Sequence, residues 1–361
     1  MQAEISKLHC KTETAKLSLP SHSEYCITVQ AAANQNIEYG LEQTKANLPD
    51  ATVLSQFVFA GTEHYKQFEK TQNCPSVWLQ GDACTDGNFY SIQTIAISGL
   101  NPKPISFNNK NIGYIYEDEY ATYCRLNGVI PHDVTASRTE QTRSAFEVIN
   151  TILKDNNFKF TDTIRTWIYL DDLLEWYDEF NVVRTQFFNE TGIFDCMVPA
   201  STGIGAGNQF GAAIMMDILA VKPKNNQLII QDVISPLQYP ALDYKSSFSR
   251  AVEIKYPTHK NLLISGTASI DTNGATAHLD DPEKQIRLTM KVVHAILKSR
   301  DMHWEDLFRG IAYFKDMDYL PIYNKVASEL EIKNFPLAIS HADVCRHDLL
   351  FEIEVDAVKT L

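Results

Sequence analysis

The chain has 361 residues, is 44% hydrophobic and carries a formal net charge of -13 with an isoelectric point near 5.2. That is enough apolar sequence to bury one extended core or two ordinary ones, which excludes a disordered tail. The acidic balance argues against nucleic acid as a partner, because such binding rests on Lys and Arg neutralising phosphates.

Residues 1–75 are mixed polar sequence with short apolar runs, 53–59 among them, and give no clear element pattern. Residues 89–97, 112–116 and 120–129 read as strands. Over 138–154 the apolar residues Ala145, Val148, Ile149, Ile152 and Leu153 fall on one helical face, and Ser137 stands before them as an N-cap. Residues 163–170 are β-branched and aromatic and predict a strand, 173–190 has helical spacing, and 212–221 is a further strand. The second half runs through strands at 251–255 and 262–270, a helix over 282–298, a strand at 308–314, a helix over 320–330 and a last strand at 349–358. Residues 223–226 read as a hairpin turn, and 235–244, interrupted by Pro236 and Pro240, as an irregular connector.

The two halves contain a repeat. Glu140-Gln141-Thr142-Arg143, Val148 and Ile152-Leu153 return at the same internal spacing as Lys284-Gln285-Ile286-Arg287, Val292 and Ile296-Leu297. Asp162, Arg165, Tyr169 and Asp172 return as Asp306, Arg309, Tyr313 and Asp316, so a helix and its following strand are duplicated as one unit. Pro199 then matches Pro336, and Ile214-Met215-Met216-Asp217 matches Phe351-Glu352-Ile353-Glu354. Only the second copy has an acid where the first has Met215, which suggests scaffold in one half and chemistry in the other.

The seven cysteines (10, 26, 74, 84, 124, 196 and 345) are an odd number without CxxC spacing. With no basic N-terminal segment leading into an apolar stretch, they indicate a reducing cytoplasm. No apolar run has the length of a membrane span. His278, His294, His303, His341 and His347 lack metal-ligand spacing, so neither a metal nor a cofactor is expected.

The last strand alternates strictly. Phe351, Ile353, Val355 and Ala357 share one face, and Glu352, Glu354 and Asp356 the other. Alone, the second face reads as a solvated acidic surface. Met215 and Leu219 at the matching positions of the first copy argue instead that it is covered, and a carboxylate there would be desolvated and suited to proton donation near neutral pH.

These residues resemble a known family. Leu263-Ile264-Ser265-Gly266-Thr267-Ala268, Gln285 and the block from Cys345 to Glu354 are similar to the Rid (YjgF/UK114) fold. Arg165-Thr166-Trp167, residues 199–205, Tyr239-Pro240 and Phe248-Ser249-Arg250-Ala251 occur in the order seen in chorismatases, which remove pyruvate from chorismate. The resemblance covers residues 75–361 and implies an α/β (α+β) fold of two tandem Rid-like units, divided 1–235 and 236–361, each a mixed sheet with helices on one face. Rid proteins form trimers around a central barrel, so a fused pair would supply two thirds of one, as a monomer or small homo-oligomer.

The resemblance also implies roles. Glu352 falls at the position of the acid that protonates the enol-ether methylene carbon, and Tyr239 and Arg250 where the substrate carboxylates are held. Arg165 and Arg184 match further family positions, although Arg184 also suits a helix surface and Arg165, repeated as Arg309, a structural role. Thr202 and Gly203 belong to a turn of small residues that is either a tight connection or a close backbone approach to the ligand. Cys345 matches the branch that forms 3-hydroxybenzoate, whereas Ala251 matches the branch that hydrolyses chorismate to a dihydroxycyclohexadiene carboxylate. Trp167-Ile168-Tyr169-Leu170-Asp171 stands where the family has Trp-Asn-Tyr followed by Ile-Asn, which leaves a related enol-ether carboxylate open as substrate. Two other functions compete: Rid-type enamine/imine deamination, whose arginine is replaced by Ser201 and Ala338, and non-catalytic binding of a metabolite.

Overall fold

The computed structural model describes residues 11–31, 35–69, 74–81, 88–244 and 246–361; the first ten residues, with Cys10, and the segment holding Cys84 lie outside the described residues. Three sets of elements follow one another. The first comprises β1 (Lys11–Ser18), β2 (Ser23–Gln30), α1 (Ile37–Asn47), β3 (Thr52–Phe59), the single turn α2 (Tyr65–Phe68), β4 (Ser76–Gly81) and β5 (Ser91–Ser98). The second comprises β6 (Lys103–Phe107), β7 (Lys110–Glu117), β8 (Ala121–Val129), α3 (Arg138–Asp155), β9 (Thr163–Leu170), α4 (Leu173–Thr191), β10 (Ala200–Asn208) and β11 (Ile214–Pro223). The third comprises β12 (Ile229–Val233), β13 (Ala251–Lys255), β14 (His259–Ala268), α5 (Pro282–Ser299), β15 (Leu307–Phe314), α6 (Leu320–Glu329), β16 (Leu337–His341) and β17 (Phe351–Thr360).

Each set uses one strand order. Its last strand inserts between the opening strands and the strand that follows the first helix: β2-β5-β3-β4, β8-β11-β9-β10 and β14-β17-β15-β16. The pairs joined by a helical crossover, β3/β4, β9/β10 and β15/β16, are parallel, and the remaining ladders are antiparallel. The fold is thus α+β with mixed sheets. The segment that gave no element pattern in sequence carries this order a third time, and the 53–59 run is β3. The first two sets join as an 11-stranded sheet through β4 and β10, and the third is a 6-stranded sheet. The division expected at 235/236 is displaced: β12 pairs with β13, so the third sheet begins at Ile229, and the apparent hairpin turn at 223–226 is the link between sheets.

Local chemistry explains the helices. Ser137 caps α3 by accepting from the Glu140 N–H while Glu140 returns a bond to the Ser137 N–H, and Asp281 caps α5 just before Pro282. The apolar faces of α3 and α4 cover one face of the second set, with Phe146, Ile149, Leu153, Phe180 and Phe187 packed on Ile168, Leu170 and Ile218. Those of α5 and α6 cover Phe351, Ile353 and Val355. The opposite sheet faces meet one another. Phe57, Phe59, Trp167, Tyr169, Met215, Ile311 and Tyr313, drawn from all three sets, form a common inner core. β4 lies against β8, β10 against β14, and β16 against β2, closing the three sets into a ring.

Candidate active site

β17 carries its acidic face into this ring. Glu352 is 5% exposed and Glu354 is fully buried, so the face is not a solvated surface. Glu352 sits opposite Tyr313 across the ladder and Glu354 opposite Ile311. The matched pairs in the other sets are Met215 with Tyr169 and Ser91 with Phe59, so the position has an acid in one set of three.

The side chain of Glu352 opens into a cleft of about 1060 Å³ between the second and third sets. One wall is Tyr177, Asn181 and Arg184 of α4 with Ser201 and Gly203 of β10; the other is Arg250, Gly266, Cys345 and Arg346. Gly266 makes room for the acid, since a Cβ there would lie 1.9 Å from Glu352 Oε1. Thr202 does not line the cleft. Its Oγ1 accepts from Arg165 Nη2 at 2.7 Å and from the Gly266 N–H at 3.0 Å, fixing β10 against β14 behind the acid.

Electrostatics favour a retained proton. Burial, then the neighbouring Glu354 carboxylate, raise Glu352 to about 8 against the opposing pull of Arg250 and Arg165. Burial outweighs all else at Cys345, pushing its thiol up to about 12, with Glu352 adding to the effect. Burial therefore favours the neutral, less nucleophilic thiol form of Cys345 on the cleft wall. The cleft can present a neutral carboxylic acid beside several guanidinium groups, a setting for protonating a bound carboxylate compound.

Glu352, Cys345, Arg250, Arg184 and Gly203 are brought together on this cleft. Tyr239 and Arg165 depart from the expected arrangement. The Tyr239 side chain is 41% exposed and does not line the cleft; its carbonyl oxygen accepts from Arg250 Nε at 3.3 Å and Nη2 at 3.0 Å, so its backbone orients the guanidinium. Arg165 lies fully buried in the inner core, donating to Glu354 Oε2 at 2.8 Å, because its alternate position on β9 faces the ring interior. Residues 200–205 form strand β10 rather than a turn, since small residues there allow parallel pairing with β9 while Gly205 bridges to Asp343. Ile168 packs beneath the helices on the far sheet face, so the sequence departure there does not touch the cleft. Sequence reasoning missed Tyr177, Asn181 and Arg346. Tyr177 lies within the helical spacing of 173–190 with nothing to set it apart from a core residue, and Arg346 stands within the block from Cys345 to Glu354.

Residues 240–359 match the family described as Endoribonuclease L-PSP. A 3-hydroxybenzoate synthase of Streptomyces hygroscopicus is 26% identical over 270 residues, 67% of this chain and 75% of that protein. A chorismatase of Streptomyces rapamycinicus is 28% identical over 212 residues, 53% of this chain and 62% of that protein. A solved chorismatase structure superposes over 94% of this chain and 100% of its own, with a TM-score of 0.66 at 18% identity. The chain is chorismatase-like, with a Rid-type fold. The structural match of this chorismatase-like chain extends beyond the residues of the family model and includes its first strand set. Among the described residues no helix is long and apolar enough to cross a membrane.

Proposed function

We propose that this chorismatase-like protein is an enzyme that removes pyruvate from chorismate or a closely related enol-ether carboxylate, with Glu352 as the proton donor. The observation that carries the reading is the buried carboxyl of Glu352 in a cleft also lined by Arg184, Arg250 and Arg346. Guanidinium groups are natural partners for the carboxylates of such a substrate. Transfer of the Glu352 proton to the enol-ether methylene converts CH₂ to CH₃ and leaves an oxocarbenium centre on the adjacent carbon. Water adds to that centre and loses a proton, and the resulting hemiketal collapses with a proton passing to the departing ring oxygen, so that pyruvate and the dihydroxycyclohexadiene carboxylate are released. Loss of one water from that diol gives 3-hydroxybenzoate, and Glu352 regains a proton from solvent.

Cys345, on the cleft wall and uncharged, acts on the fate of the ring by its size and its S–H rather than by covalent attack. The product is 3-hydroxybenzoate or a dihydroxycyclohexadiene carboxylate. Rid-type deamination is disfavoured because Ser201, at the position of the missing arginine, itself lines the cleft. Incubation of the purified protein with chorismate, with products identified by mass spectrometry, tests the reading. Pyruvate and one of the two ring products are expected, and the absence of pyruvate would refute it.

A further inference from the structure

We propose that Glu354, which shares a strand face with Glu352, is a positioning residue whose fixed negative charge keeps Glu352 protonated until substrate arrives. The inference rests on the reading of Glu352 as proton donor and deepens it.

The geometry concentrates charge at this point. Glu354 is fully buried, yet Arg165 Nη2 donates to its Oε2 at 2.8 Å, Trp167 Nε1 donates to its Oε1 at 2.9 Å, and Arg309 Nη2 also donates to Oε1. Burial pushes Glu354 upward, but Arg165 and Arg309 overcome it and hold the group below the usual carboxylate range. The matched position of the second set is treated differently. Asp217 accepts from the Gly128 N–H at 2.6 Å, and burial raises it to about 7. In the first set the position is Gln93, which donates to the Gly310 carbonyl at 2.9 Å and accepts from Arg309 Nε at 2.8 Å. The strand position thus accommodates a neutral amide, so the fold alone does not demand a carboxylate gripped by two arginines. Of the matched positions, the one held below the usual carboxylate range is Glu354, beneath the strand position that bears the cleft acid.

Burial is the largest influence on Glu352 and favours its protonated form, and the charged groups around it act beside that. Arg250 faces it from the start of β13 and Arg165 from β9, and both favour the ionised form. Glu354, on its own strand, opposes them. Tyr313, directly across on β15, is buried and holds its proton well above the usual tyrosine range. Cys345 stays neutral, and Arg346 and Arg184 share the cleft. Replacing Glu354 with an amide removes the repulsion and leaves the arginines, so Glu352 should lose its proton at lower pH. An anionic substrate in the cleft adds negative charge of the kind Glu354 supplies in the empty protein, and so holds the proton in place for transfer.

The test is an infrared titration of the free protein, following the carboxylic acid C=O band assigned to Glu352 by its loss in Glu352→Gln. In wild type the band should disappear with a midpoint near pH 8. In Glu354→Gln the midpoint should fall by about 1–2 pH units. Because that variant leaves two buried arginines facing an amide, the charge-balanced pair Glu354→Gln with Arg309→Gln is read alongside it. Its midpoint should also fall, since Arg165 and Arg250 still face Glu352. A midpoint unchanged from wild type in either folded variant would overturn the proposal. The readout needs no turnover: a wild type that releases no pyruvate would refute the enzyme reading and leave the shift to be seen, whereas an unshifted band in an active enzyme would refute only the role of Glu354.

Discussion

Glu352 carries its proton into the folded protein. It is 5% exposed, burial and the neighbouring Glu354 carboxylate both disfavour its charge, and its folded-state value near 8 lies above its ordinary 4.5. Between those values the unfolded chain releases the proton while the folded protein keeps it, so stability declines as pH rises through that window and is least affected below 4.5. Glu352→Gln has no such cost. Its melting temperature should exceed that of wild type by a margin that widens from pH 5 to pH 8, as followed by calorimetry; a constant margin would mean that Glu352 is ionised in the folded protein. Activity has the same sign, with kcat/KM falling as pH rises past about 8. Gly266 is the second residue on which the acid depends. A methyl group there would meet Glu352 Oε1, so Gly266→Ala should displace the carboxyl and lower kcat on the order of 10- to 100-fold with a modest change in melting temperature. Normal kcat in that variant would show that the carboxyl need not lie over Gly266.

At the scale of elements, β10 and β14 hold the site together through Thr202. Thr202→Val removes the acceptor for both Arg165 and the Gly266 N–H while preserving shape, and should destabilise the protein by about 1–3 kcal/mol in a denaturant titration. An unchanged midpoint would indicate that neither bond matters. The same strand marks the limit of what sequence could reveal. Helices α3 and α5 declare themselves through caps and one-sided apolar spacing, and β17 through strict alternation. By contrast, β10 contains Ser201, Thr202, Gly203 and Gly205, a composition that locally favours a turn; it is a strand because β9 and β4 pair with it on either side. Arg165 was half legible: its repeat as Arg309 pointed to the structural role that both residues have beside Glu354. Its match to a family position was legible, but only the alternation of β9 within a closed ring turns it toward Glu354 instead of the cleft.

At the scale of the molecule, three copies of one strand order close a ring within a single chain, and the three junctions are not equivalent. The cleft with Glu352 lies between the second and third sets, while Met215 and Ser91 hold the matched positions elsewhere. Only β5 of the first set was legible in the sequence; the rest went unrecognised because the set lacks a long one-sided helix, α1 having 11 residues against 18 in α3. It nevertheless covers the inner face with Phe57 and Phe59 and bonds the third set through Ser91, whose Oγ donates to the Ile339 carbonyl at 2.7 Å. A chain lacking residues 1–98 should expose that apolar face and aggregate on size-exclusion chromatography. A monodisperse truncated chain with native near-ultraviolet circular dichroism would show the first set to be dispensable.

The central claim is that Glu352 protonates a substrate carbon, and its most direct test is pyruvate release from chorismate by wild type and by Glu352→Gln, with substrate affinity measured in parallel by titration calorimetry. Wild type should release pyruvate. The variant should bind with similar affinity and turn over about 10²–10⁴ times more slowly, the loss typical of removing a positioned general acid. Pyruvate release by the variant within a few-fold of wild type would contradict the account.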